Sequence, residues 1–141
     1  MVSMKMAFIG WKDNEISIFK ELAASLSKRI SGLELEERFV PFLEDLPLVA
    51  NECAKECDFV FVFALVDDIE DARFVKQKLV DVELSTGTRI LKAITDDAIS
   101  GMDENDYVEA RAELVKGYSD TIVNILFNER EFEPKDVDFG L

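Results

Sequence analysis

The sequence contains no histidine. That absence excludes histidine-based catalytic triads, His-ligated metal sites and imidazole general bases. Any acid–base work falls to Asp, Glu, Lys, Tyr or Cys. Cysteine is scarce: Cys53 and Cys57 are the only two and stand four apart. On a helix they would share a face with their Cα atoms roughly 6 Å apart, at the margin of disulfide geometry. Two ligands do not complete a zinc site, so both are read as reduced, small and apolar. Basic residues are few, 16 against 30 acidic ones, for a net charge of −14. A surface of that sign repels a nucleic-acid backbone and an anionic membrane, and neither is expected as a partner. No apolar run reaches the ~20 residues of a membrane-spanning helix, and Met1–Met6 precedes only a short one. No signal peptide is recognised, which predicts a cytoplasmic protein. Glycine-rich phosphate loops are missing as well. Gly10 stands alone after the first apolar run, in an acidic setting, which disfavours nucleotide cofactors. No cofactor is expected.

What is present is an apolar, periodic chain. Apolar residues make up 48% of 141, enough for one domain with a real core. Met6–Gly10 reads as a buried strand. Trp11–Asn14 follows as a loop, with Asp13 or Asn14 as cap of a helix whose inner face is Ile16, Phe19, Leu22, Ala23, Leu26 and Ile30. Ser31-Gly32 stops that helix. Leu33–Val40 alternates apolar residues with Glu34 and Glu36, as an edge strand does. The loop Pro41–Pro47 leads into a second helix running to about Glu56, with Asp45 as N-cap and Pro47 in its first turn. Asp58–Val66 is the most apolar run and does not alternate, so it predicts a central strand buried on both faces. Asp67-Asp68 caps a third helix with Ile69, Ala72, Val75, Leu79 and Val82 inward, ending near Ser85. Arg89–Ile94 is a fourth strand. A connection through Ser100 leads to a last helix from about Asn105 to Phe127, with Val108, Ala112, Val115, Ser119, Ile122 and Leu126 inward. The order is βαβαβαβα in one domain, residues 1–127. An acidic tail, 128–141, carries Phe132, Pro134, Val137 and Phe139 and is read as extended. Right-handed crossovers then predict a flavodoxin-like three-layer α/β/α sandwich on a four-stranded parallel sheet of order 2-1-3-4. So small a sheet, with 11 phenylalanines, suits burial of surplus apolar surface in a homo-oligomer.

In such a sheet ligands bind beyond the C-terminal ends of the strands. Trp11, Lys12 and Asp13, then Phe42, Glu44 and Asp45, then Asp67 and Asp68, then Asp96 and Asp97 converge there. A Mg²⁺ site of the response-regulator type would use such carboxylates, but the fifth strand and its lysine are missing. Asp13, Asp45 and Asp67 each stand where a helix N-cap belongs, so no metal is expected. Trp11, the only tryptophan, either stacks on a flat heterocycle beside Phe42 or packs under its own helix or in a subunit interface.

The segment Val40-Pro41-Phe42-Leu43-Glu44-Asp45-Leu46-Pro47 resembles the V-P-G-x-x-D-L-P loop of archaeal riboflavin synthases, relatives of lumazine synthase. Cys57-Asp58-Phe59-Val60 and Ala64-Leu65 are similar to that family's C-D-x-V…A-L strand. Arg111-Ala112-Glu113 and Ile125-Leu126-Phe127 are similar to its last helix. The resemblance covers roughly residues 6–127. It implies the same four-stranded fold, a pentamer, and riboflavin biosynthesis by dismutation of 6,7-dimethyl-8-ribityllumazine, a substrate without phosphate. A lumazine or flavin ring would then lie against Trp11, Val40, Pro41, Phe42, Leu65 and Val66, with Asp45, Asp67 and Asp68 as polar contacts. The departures are specific. Phe42 replaces the family's loop glycine. The loop after the third strand is shorter, and its His-Glu catalytic pair has no counterpart, its place falling near Ala72-Arg73. The residues left to act as a base are Asp67, Asp68 and Lys12. The alternatives are a non-catalytic oligomeric paralogue that binds lumazine or flavin, and an unrelated flavodoxin-like interaction domain.

Overall fold

The computed structural model describes residues 3–14, 17–99 and 101–127. Ile16, Ser100 and the tail residues Phe132, Pro134, Val137 and Phe139 lie outside them. Four strands, β1 (Met4–Trp11), β2 (Leu33–Val40), β3 (Phe59–Leu65) and β4 (Arg89–Thr95), form one parallel sheet in the order β2-β1-β3-β4. Helices α1 (Phe19–Arg29) and α4 (Glu104–Phe127) cover one face; α2 (Leu46–Ala54) and α3 (Ile69–Thr86) cover the other. This is the flavodoxin-like arrangement that the sequence order predicts.

β3 is buried along its whole length, and its period of two sorts its side chains by size. Phe59, Phe61, Phe63 and Leu65 point to the α1/α4 face; Val60, Val62 and Ala64 point to the α2/α3 face. On the first face Phe8, Phe19, Phe61, Phe63 and Tyr118 form a chain of tilted and edge-on ring contacts, with centroids 5.2–6.4 Å apart. Such pairs add about 0.5–1.5 kcal/mol each beyond the area they bury. The second face is packed by small and β-branched groups against Leu46, Ala50, Val75 and Leu79.

Helix ends show where local sequence rules were overridden. Asp68 caps α3, its Oδ1 accepting from the Glu70 and Asp71 amides at 2.9 and 3.1 Å. Gly87, at φ +73°, closes the same helix in a conformation that L side chains rarely adopt. Asp45 does not cap α2. A 3₁₀ turn, Leu43–Asp45, runs straight into the helix, which leaves Asp45 helical and without a side-chain cap bond. Neither Asp13 nor Asn14 caps α1. Its N-cap position is Ile18, and Asn14 is engaged across the sheet instead. α4 begins at a cap from Asp103, whose Oδ1 accepts from the Asp106 amide at 2.9 Å.

Two inner faces also differ from their periodicity. In α3, Val75, Leu79 and Val82 are buried and Ala72 half-buried, but Ile69 is 72% exposed in the first turn. In α4, Ser119 and Ile122 are buried as read. Val108 and Ala112 are exposed, while Ile125 is buried. With 24 residues α4 spans roughly 36 Å, whereas the 7 residues of β3 or β4 span about 23 Å. The face α4 turns to the core is Tyr107, Ala110, Leu114 and Tyr118 with Ser119 and Ile122, which leaves Val108 and Ala112 pointing away from it.

Candidate functional site

β1 and β2 end in register, Trp11 opposite Val40, and the Lys12 amide donates to the Val40 carbonyl at 2.9 Å. That pairing sets the Pro41-Phe42 turn beside Trp11. α3 starts from the neighbouring strand end, so its first turns approach the same place. Together they bound a cleft of about 290 Å³ at the C-terminal edge of the sheet. Its aromatic walls are Trp11, Phe42 and Phe74, and its acidic groups are Asp13, Glu44 and Asp71.

Phe42 is 62% exposed and Phe74 50%. Phe42 does not plug the cleft from within the core; it stands at its rim. Its backbone, φ −123° and ψ 143°, is extended and suits any residue. The Lys78 ammonium stands 5.7 Å from the Phe74 ring centroid. The Trp11 ring is half-buried against the α2/α3-side core, and its Nε1 is shut off from solvent with no hydrogen-bond partner among the described residues. An unpaired buried donor of this kind costs about 1–3 kcal/mol.

A second cleft, also about 290 Å³, opens on the other side of Trp11, where Lys12, Asn14 and Phe39 contribute. Gly10 lets two rings come close here: a Cβ would stand 3.0 Å from ring carbons of both Phe19 and Phe39, which would have to shift to admit it. Asn14 closes the floor. Its amide donates to the Leu65 carbonyl at 3.0 Å and its Oδ1 accepts from the Leu65 amide at 2.9 Å. This clamp completes the backbone bonding of the end of β3.

The expected site residues therefore separate. Trp11, Pro41 and Phe42 come together in the first cleft, and Lys12 lies in the second. Val40, Leu65 and Val66 are buried in the core, 2, 8 and 6% exposed, the first and third on one face and Leu65 on the other. Asp45 is half-buried in the 3₁₀ turn. Asp68 is committed to its cap, and Asp67 accepts from the Asp97 amide at 3.2 Å, joining two strand-end loops. Asp71 and Phe74 were missed by sequence reasoning. Their signal was faint: an aromatic at 74, off the Val75–Leu79–Val82 stripe. Among the described residues no three His, Cys, Asp or Glu side chains are placed to hold a metal ion.

The thiols take no part in either cleft. Cys53 and Cys57 are buried and unbridged. Burial first, then the Glu36 carboxylate, pushes Cys53 up to about 11 and Cys57 up to about 12. Cys57 Sγ donates to Glu36 Oε1 at 3.6 Å. Both are neutral thiols at physiological pH, not nucleophiles.

No protein-family model and no curated protein matches the chain. Among solved structures, the crystal structure of the N. crassa QDE-2 AGO MID domain is similar, at 12% identity and a TM-score of 0.49. The likeness covers 89% of this chain and 99% of that one. At that level it carries no argument about function. No helix among the described residues is long and apolar enough to cross a membrane.

Proposed function

We propose that this chain binds a flat, unphosphorylated heteroaromatic ligand, a lumazine or riboflavin, in the Trp11–Phe42–Phe74 cleft. The observation that supports it is the pairing of the exposed Phe42 and Phe74 walls with a buried Trp11 Nε1 that has no acceptor among the described residues. A ring carbonyl or ring nitrogen supplies that acceptor once the half-buried indole tips toward the cleft. Phe42 and Phe74 offer stacking surface. Asp13, Glu44 and Asp71 accept from ring N–H or ribityl hydroxyl groups and repel a phosphate. The resemblance of the Pro41–Pro47 loop to archaeal riboflavin synthases favours the same ligand class and a cytoplasmic, oligomeric protein, a pentamer on that analogy.

Dismutation of 6,7-dimethyl-8-ribityllumazine is the second reading. It needs two rings held in register and a base. The carboxylates available for that role are the cleft's Asp13, Glu44 and Asp71, since Asp67 and Asp68 are bonded to backbone amides. Without a histidine, binding is the better supported activity.

The test is a titration with the lumazine, riboflavin and FMN, following Trp11 fluorescence for binding and riboflavin absorbance for turnover. Quenching by the first two and not by FMN is expected, and Phe42→Ala should weaken it about tenfold, the loss of one stacking contact. Quenching by FMN equal to that by riboflavin, or none by any ligand, overturns the reading. Formation of riboflavin from the lumazine establishes the enzyme.

A further inference from the structure

Among the described residues, the charged side chains that line the cleft beside Trp11 are all acidic: Asp13, Glu44 and Asp71. All three are exposed, and none is ion-paired within the described chain. The bond from Asp71 to Asp68 is made by its backbone amide and does not use its carboxylate. Like charges set around one small space repel, and a cation placed among them relieves that repulsion. The net charge of −14 draws cations to the surface as a whole.

The remaining walls suit an organic cation rather than a metal ion. The three carboxylates are not placed to hold a metal ion together. What stands between them is aromatic: Trp11, Phe42 and Phe74. On the α1/α4 side of the sheet the rings pack on one another, whereas none of these three pairs with another ring among the described residues. Phe74 already takes an ammonium group from within the chain, Lys78 Nζ standing 5.7 Å from its centroid one turn further along α3. The negative face of such a ring attracts a cation, best one whose charge is spread over alkyl groups and is weakly hydrated. A space of about 290 Å³ has room for a compact group of that kind.

We infer that this cleft binds a small alkylated ammonium cation, its head against Trp11, Phe42 and Phe74 and its charge balanced by Asp13, Glu44 and Asp71. The inference goes beyond the heteroaromatic reading and does not rest on it: a second ligand class uses the same walls, and the two occupants exclude each other. The carboxylates repel a phosphate, which selects a free cation over a phospholipid headgroup of the same shape.

Choline and its neutral carbon isostere, 3,3-dimethylbutanol, test it, because they share a shape and differ in charge. Each is titrated into the full chain to about 20 mM at constant ionic strength, enough to register a millimolar site. Binding is read by saturation transfer to the ligand methyl protons and by Trp11 fluorescence. Choline is expected to bind about tenfold more tightly than the alcohol, and phosphocholine more weakly than choline. Phe74→Leu is expected to weaken choline about fivefold and Asp71→Asn about threefold. Both side chains are exposed, so the thermal midpoint should hold. Where riboflavin binds, it is expected to displace choline. No binding of choline, equal binding of the alcohol, or choline binding untouched by both variants overturns the inference. Phosphocholine bound as tightly as choline overturns the choice of a free cation. Riboflavin quenching Trp11 in samples that take no choline leaves the heteroaromatic reading standing alone; choline binding without riboflavin binding sustains the cation site alone.

Discussion

Cys53 and Cys57 show how a single residue type can look functional and be structural. Four apart, they have the spacing of a pair yet read as reduced, apolar residues, and in place they are buried thiols beside Glu36. Folding raises their pKa values from 9.0 to about 11 and about 12. The folded chain therefore holds the thiol protons more tightly than the unfolded chain does. This contribution to stability is fully present below pH 9.0 and is lost as pH rises through about 11 to about 12. Urea melts from pH 8 upward are expected to show a smaller alkaline loss for Cys57→Ala than for the unsubstituted chain. An equal loss refutes the assignment. Native protein at pH 8 is also expected to resist thiol-specific reagents until unfolded. Asn14 makes the opposite point. It looks like one more helix cap, yet it joins the β1 exit to the end of β3 through two bonds to Leu65. Nothing within its own neighbourhood in sequence announces a partner 51 residues away.

At the scale of elements, the two edge strands are protected differently. β2 is charged along its length, with Glu34, Glu36, Glu37 and Arg38. β4 is capped at Ile90 by the Glu83–Lys92 pair, whose side chains are 19 and 23% exposed. Lys92→Met keeps the apolar stem but removes the ammonium, leaving the Ile90 carbonyl unpaired and Glu83 uncompensated. It is expected to cost about 2 kcal/mol in urea unfolding, with little dependence on salt. The exposed Lys78–Asp81 pair, at 3.9 Å, serves as the control. Lys78→Met is expected to cost less than about 0.5 kcal/mol. Equal costs for the two would mean that the edge cap does not stabilise the sheet.

For the whole molecule, charge is the dominant long-range property. Thirty acidic residues against 16 basic give −14 on one small domain, and that excess repels itself across the surface. Added salt screens it over a Debye length of about 8–10 Å near physiological ionic strength. Raising sodium chloride from a few millimolar to that range is expected to raise the thermal midpoint by roughly 3 °C, equivalent to about 1 kcal/mol for a domain of this size. A midpoint that falls instead would show that surface ion pairs outweigh the net repulsion. The same repulsion opposes self-association.

The sequence by itself determined the element order, the central place of β3 and the topology of the sheet. Those follow from properties read along the chain: an unbroken apolar run marks a doubly buried strand, an alternating charged one marks an edge, and a βαβαβαβα order with that pattern suits the doubly wound arrangement. It also grouped Trp11, Pro41 and Phe42, which the structure brings together in one cleft, because strand ends are local features. Only the tertiary structure decided which loop carboxylates face a cleft and which bond to the backbone. Asp68 caps α3, Asp67 reaches Asp97, and Asp71 with Phe74 turns toward Trp11. Those assignments depend on how far α3 leans over the ends of β1 and β2. The physical reason is that the lean is set by packing of Val75, Leu79 and Val82 against the sheet, a three-dimensional fit that no spacing of residues encodes.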